Sequence, residues 1–222
     1  MEAVIPRKRV LILGSTGMLG HVIYNVLQNQ SNIELFDMSF RTKLTKKSII
    51  CDVSKVDTLE KQIKKINPVV IVNCVGVLLK NSKINPANTI FINSYLPHKL
   101  RDIAVKINAR VIQISTDCVF NGNRGHNSEN TLPNASDIYG RSKSLGELNN
   151  SFDLTIRTSI IGPELKHNGE GLLHWLFNQS GNIYGYKNVF WSGVTTLELS
   201  KAILFSINNP LLIELFHPVL VV

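Results

Sequence analysis

The sequence predicts an α/β fold, a doubly wound parallel sheet with helices on both faces. Three observations predict it: short continuous apolar runs, amphipathic stretches at helical spacing between them, and a glycine-rich turn directly after the first run. Strands covered on both faces lose the alternation of a half-solvated sheet and read as unbroken Val, Ile and Leu.

Taken in order, Arg9 to Leu13 is a buried strand, and Met18 to Gln28 a helix with Leu19, Val22, Ile23, Val26 and Leu27 on one face. Ile33 to Met38 is a second strand. Thr58 to Ile66 is an amphipathic helix that must stop before Pro68, and Val69 to Val72 is a third strand. Leu96 to Asn108 is helical, with Pro97 acceptable in its first turn, and Val111 to Ile114 is a strand. Tyr139 to Leu148 is a helix followed by a strand over Leu154 to Arg157. Beyond Arg157 the glycines thicken. Helices are expected only at Leu172 to Asn178 and Leu197 to Ile207, with a terminal strand at His217 to Val222. Residues 1–160 therefore read as the sheet domain, and 161–222 as a partial, smaller lobe interleaved with it.

A chain of 222 residues with 44% apolar and 18% charged residues is an ordinary globular composition. The net charge of +8 comes from lysines spread over several amphipathic faces, as at Lys61, Lys64 and Lys65, and not from a basic platform interleaved with aromatics. A solvated basic surface is the reading, with no nucleic-acid partner. Cys51, Cys74 and Cys118 have no metal-ligand spacing, so no metal is expected; as an odd, scattered set they read as small core residues in a reducing compartment. No apolar run approaches the roughly 20 residues that span a bilayer. The apolar run after Arg7, Lys8 and Arg9 is too short for a signal peptide and runs into glycine, so a cytoplasmic location without membrane partners is expected.

The turn Gly14-Ser15-Thr16-Gly17-Met18-Leu19-Gly20 has the logic of a dinucleotide loop. Gly14 permits the tight turn, Gly17 removes a side chain from the phosphates' path, and Gly20 lets the helix pack on the sheet; Thr16, Met18 and Leu19 complete the loop. At the end of the second strand, an acid would hold a ribose 2′-hydroxyl (NAD) and an arginine a 2′-phosphate (NADP). Asp37 and Arg41 compete for that role. Arg41 is favoured, since it lies past the strand end near Lys43, Lys46 and Lys47; NADP(H) is therefore preferred, with NAD(H) possible. Asp52 and Val53 are candidates to border the adenine, and Val75 and Gly76 lie at the sheet's carboxyl edge, where such folds bind ligands.

Tyr-x-x-x-Lys occurs at Tyr95/Lys99 and at Tyr139/Lys143, and either spacing puts phenol and ammonium on one helical face. Only the second follows a strand ending in hydroxyls, Ser115-Thr116; Tyr95, after Asn93 in a loop and beside Pro97, is read as a helix start. Lys143 would lower the Tyr139 phenol's pKa and bond a nicotinamide ribose, while Thr116 would polarise a carbonyl receiving hydride.

The chain resembles the extended short-chain dehydrogenase/reductases, and among them the dTDP-4-dehydrorhamnose reductase-like sugar-nucleotide proteins. The resemblance rests on Leu13 to His21, Ile92 to Pro97, Ile114 to Phe120, Tyr139 to Lys143, Arg157 to Ser159 and Trp191 to Thr196. It implies a Rossmann-type domain binding NAD(P)H, a clasping C-terminal lobe, and Thr116, Tyr139 and Lys143 as catalytic trio. It also implies Asp117, Trp191 and Thr195 near a nucleotide-sugar substrate, and often a homodimer. Two departures stand out: Ile160-Ile161 where those reductases carry a tryptophan, and Val75-Gly76-Val77 where they carry Ala-Tyr-Thr. The chain is also short at its C-terminal end by the family's standard, so part of the substrate lobe is expected to be missing. The implied activity is reduction of a nucleoside-diphosphate 4-keto-6-deoxy sugar for polysaccharide synthesis. Two readings stand beside it: an epimerase holding NAD, and a non-catalytic regulatory subunit on the same fold. A dehydratase ranks lower, because Cys118 follows Asp117 where an acid would be needed.

Overall fold

The structure, a computed structural model, describes residues 6–189 and 191–218. Its strands are β1 (Lys8–Leu13), β2 (Ile33–Ser39), β3 (Ile49–Ile50), β4 (Val70–Asn73), β5 (Arg110–Ile114), β6 (Leu154–Ile156), β7 (Ile160–Ile161), β8 (Val194–Thr195) and β9 (Glu214–Phe216). The α-helices are α1 (Gly20–Leu27), α2 (Val56–Ile66), α3 (Leu79–Ile84), α4 (Pro86–Ile90), α5 (Leu96–Lys106), α6 (Ile138–Leu145), α7 (Leu172–Phe177) and α8 (Thr196–Asn208). All pairings in the main sheet are parallel, in the order β3-β2-β1-β4-β5-β6-β9, and β7 and β8 pair separately. This is the expected doubly wound Rossmann-type sheet. The strand order reverses between β1 and β4, and ligands in such sheets bind outside the carboxyl ends at that reversal.

The apolar runs split by pleat. Leu11, Leu13, Ile71 and Val111 face α2 and α5 in one core, whereas Val10, Ile12, Val72 and Ile112 face α1 and α8 in the other. Each run is thus fully buried although alternate residues serve opposite layers, which is why no polar alternation shows in the sequence. Residues beyond Ile161 return to this body: α8 packs on α1, and β9 extends the sheet beside β6.

Several boundaries differ from the sequence reading. The first helix starts at Gly20, because Ser15 to Leu19 are used in the turn. The terminal strand is Glu214–Phe216, upstream of His217, and Val219 to Val222 lie outside the described residues. Asn93 and Tyr95 are not in a loop: they belong to a π-helical turn, Phe91–Tyr95, that joins α4 to α5. The widened turn puts the Asn93 side chain on buried partners. Its amide donates to Val77 O at 3.0 Å and Ser142 Oγ at 3.1 Å, and its carbonyl accepts from Val77 N at 2.8 Å. Asn93 so ties the loop after β4 to α6.

Candidate active site

The glycine loop is built by backbone bonds that leave its crest clear. Gly14 sits at φ 83°, the left-handed region that glycine enters without penalty. Gly14 and Ser15 both donate their N–H groups to Met38 O, at 2.9 and 3.1 Å, and Gly17 N donates to Gly14 O at 3.0 Å. A Cβ on Gly20 would collide with the Gly14 carbonyl, so this helix start can press on the turn only as glycine. His21 bonds the Gly17 carbonyl through Nδ1 at 2.8 Å. Gly14 and Gly20 therefore lie beneath the loop, while Thr16, Gly17, Met18 and Leu19 line a cleft of about 360 Å³.

The same cleft receives Val75 and Gly76 from the end of β4, Thr116 from the end of β5, and Tyr139 and Lys143 from α6. Thr116 caps a 3₁₀ turn over Asp117–Val119, its Oγ1 accepting from Cys118 N at 3.2 Å. Asp137 caps α6 by accepting from Gly140 N at 3.0 Å. A Cβ on Gly140 would overlap Cys118 O, and one on Gly146 would overlap Asn93 O. These two glycines let α6 lie against the 3₁₀ turn and the π-helical turn, which sets Tyr139 beside Thr116.

The electrostatics correct one expectation. Burial in the cleft raises the Tyr139 phenol to about 12, with the Thr116 hydroxyl opposing that rise only in part. Lys143 does not lower it. The ammonium donates instead to Ile114 O at 2.6 Å, and burial brings the Lys143 pKa down to about 8 against the opposing pull of Glu147. Tyr139 is therefore a protonated acid at neutral pH, and Lys143 an ammonium close to its titration point.

Linkage makes this measurable. An unfolded chain holds the Lys143 proton up to its ordinary 10.5, the folded chain only to about 8. Between those values the unfolded state binds more protons, so folding gains stability as pH rises. Below about 8 both states are charged and the burial penalty applies in full. The stability of the wild type relative to Lys143→Met is therefore expected to rise from pH 7 to pH 10 in urea titrations; a difference flat in pH would contradict the buried-ammonium assignment.

The remaining site candidates are dispersed. Arg41 lies outside this cleft and lines a second one of about 440 Å³. Asp37 is inside β2, buried, and accepts from Ser15 Oγ at 2.5 Å. Asp52 accepts from Ser54 N and Oγ in a local turn, and Val53 packs against the core, so neither borders either cleft. Asp117 takes the Thr116 hydroxyl at 3.2 Å but does not line the cleft. Thr195 caps α8 by accepting from Glu198 N, and Trp191 is half exposed against Gly193; both stand away from the two clefts. Cys118, read as a core residue, is exposed and lines the first cleft. Sequence reasoning passed over Asn93, Gly140, Glu164 and Lys166. Gly140 was legible as the residue after Tyr139, but its need to be glycine appears only where Cys118 O approaches.

No helix among the described residues is long and apolar enough to cross a membrane. The structure is similar to a hypothetical dTDP-4-dehydrorhamnose reductase from Sulfolobus tokodaii, with TM-score 0.83 and 25% identity, over 95% of this chain and 76% of that one. It is also similar in fold to a dTDP-4-dehydrorhamnose reductase from Bacillus anthracis in complex with NADP, with TM-score 0.80 and 22% identity, over 96% and 74% of the two chains. In sequence it is 29% identical over 183 residues to methionine adenosyltransferase 2 subunit beta of Bos taurus, covering 80% of this chain and 54% of that protein. The chain spans about half the length of the curated relatives it matches. The family model of the RmlD substrate binding domain matches residues 8–178, from β1 through α7. The protein is a member of the RmlD substrate binding domain family.

Proposed function

We propose that this chain is an NADPH-preferring reductase acting on the keto group of a nucleoside-diphosphate 4-keto-6-deoxy sugar. The observation that carries the reading is the convergence of Thr116, Tyr139 and Lys143 with the glycine loop on one cleft at the sheet's strand-order reversal.

The residues present fit a dinucleotide. Gly17 and Gly76 bring no side chain to the cleft wall, and the backbone of Thr16 to Leu19 meets the start of α1, where N–H groups and the helix dipole favour anions. Support for Arg41 over Asp37 comes from position: the Asp37 carboxylate is buried and engaged by Ser15, whereas Arg41 is exposed in the second cleft. A reduced nicotinamide bound here would supply the hydride. The chain's own residues handle the proton. The Thr116 hydroxyl orients the ketone oxygen, and Tyr139, protonated at neutral pH, gives that oxygen its proton. The Lys143 ammonium, held by Ile114 O on the same cleft, would bond the nicotinamide ribose. Glu164, Leu165 and Lys166, which line the same cleft, would border the sugar.

Calorimetric titration with NADPH and separately NADH tests the assignment. NADPH is expected to bind about tenfold more tightly or better, and Arg41→Ala should erase the difference. Binding of neither, or equal binding by wild-type protein, would overturn it. A regulatory role is the second reading, favoured by the curated relatives that are themselves named as a subunit. It requires a partner enzyme whose kinetics change on addition of this chain, and no turnover by the chain alone.

A further inference from the structure

The two clefts are one groove. They share Gly76, Val77 and Leu78 on one wall and Glu164 and Lys166 on the other, so the groove runs from Tyr139 past a common waist to Arg41. The second wall at this waist is a strap, residues 164–171, between β7 and α7. The strap is latched on itself: Glu164 Oε2 accepts from Gly171 N at 2.6 Å. It is also seated on the glycine loop. The Met18 methyl lies directly over Gly171, and the Glu164 carboxylate directly over Gly169.

We propose that Lys166 is a diphosphate-binding residue, presented by this strap into the cleft that the glycine loop also lines. The proposal rests on the dinucleotide and sugar-nucleotide reading and adds to it a cation which the glycine loop lacks. Ser15 to Leu19 carry no basic side chain, so that loop offers an anion only N–H groups and hydroxyls. Lys143 is committed to Ile114 O, and Arg41 reaches only the far cleft. Lys166 is the basic side chain common to both clefts, and among the described residues it forms no ion pair. Two carboxylates line the same region. Among the described ion pairs, neither Glu164 nor Glu170 is joined to the lysine. A diphosphate in the first cleft would meet both the glycine loop and the Lys166 ammonium, an arrangement in which charge-assisted bonds add to the helix-terminus site.

A diphosphate can come from the cofactor or from the nucleotide sugar, and calorimetry separates them. Wild-type protein, Lys166→Ala and Lys166→Arg would be titrated with NADPH, and then with dTDP after saturation with NADPH. Lys166→Ala is expected to weaken one of these affinities about tenfold, with Lys166→Arg retaining most of it. A loss confined to NADPH assigns the lysine to the cofactor, and a loss confined to dTDP assigns it to the substrate. Because Lys166 is exposed, the variant should unfold at the wild-type temperature, which checks that lost binding is not lost structure. Wild-type binding with both affinities unchanged in Lys166→Ala overturns this proposal alone. A wild type that binds neither ligand overturns the functional reading and the lysine's role together.

Discussion

Tyr139→Phe is expected to lower turnover of a responsive 4-keto sugar nucleotide about a hundredfold to ten-thousandfold, the range set by loss of a positioned general acid. The substitution deletes one oxygen and keeps the ring that packs in the first turn of α6. The structure around it does not depend on that oxygen: the cap of α6 comes from Asp137, and the seating of α6 from Gly140 and Gly146. NADPH affinity and thermal unfolding should therefore stay near wild type while kcat falls. The pH profile adds a second check. With the phenol near 12, the acid keeps its proton and stays neutral through the neutral range, and the limb falling above about pH 8 belongs to Lys143. That limb should vanish in Lys143→Met, along with most of the activity. Undiminished turnover by Tyr139→Phe would remove the proton-transfer mechanism outright.

Arg157→Met is expected to destabilise the fold by about 3–5 kcal/mol, the usual penalty for leaving one partner of a buried pair uncompensated. Arg157 Nε and Nη2 donate to Glu147 Oε1 and Oε2, both at 2.8 Å, and the two side chains are only 5% and 10% exposed. The guanidinium also lies 5.2 Å from the Phe120 ring centre, and its backbone N–H donates to Phe216 O of β9. The pair therefore joins the end of α6, the loop after β5 and the sheet's last strand. Glu147 also accepts from Ser115 Oγ at 2.8 Å and lies four residues after Lys143, so its disturbance should reach the site. Urea unfolding would measure the loss. The double variant Arg157→Met, Glu147→Leu should recover a good part of it, because the orphaned carboxylate is then gone. A single-variant loss below about 1 kcal/mol would mean that the pair is solvated and not a buried lock.

How far the sequence alone could reach is clearest at particular residues. Arg9 to Leu13 and Val69 to Val72 announced buried strands because a parallel sheet excludes water from both faces, but the first residue of each run, Arg9 and Val69, is exposed. The glycine loop was legible because backbone geometry demands its residues locally: Gly14 needs a positive φ and Gly20 needs close packing within seven positions of chain. β3, with only Ile49–Ile50, was missed because two residues hold no period, and the π-helical turn at Phe91–Tyr95 was missed because its apolar spacing still resembles a helix start.

The membership of the site followed a different rule. The order Gly14 to Gly20, Thr116, Tyr139 and Lys143 was determined by the sequence itself, since the alternating pattern delivers the loop and Thr116 to strand carboxyl ends, and the four-residue spacing puts Tyr139 and Lys143 on one face of the helix beside them. Only the tertiary structure decided where their charges go. Lys143 turns to Ile114 O, 29 residues away, and burial rather than a neighbouring cation sets the Tyr139 phenol. Asp37 is taken by Ser15 from 22 residues off, and Lys166 reaches the groove on a strap with no sequence period at all. Local pattern reports the backbone a residue must adopt. Desolvation and partner choice depend on loops brought together at one sheet edge from distant parts of the chain, and no short window of sequence contains them.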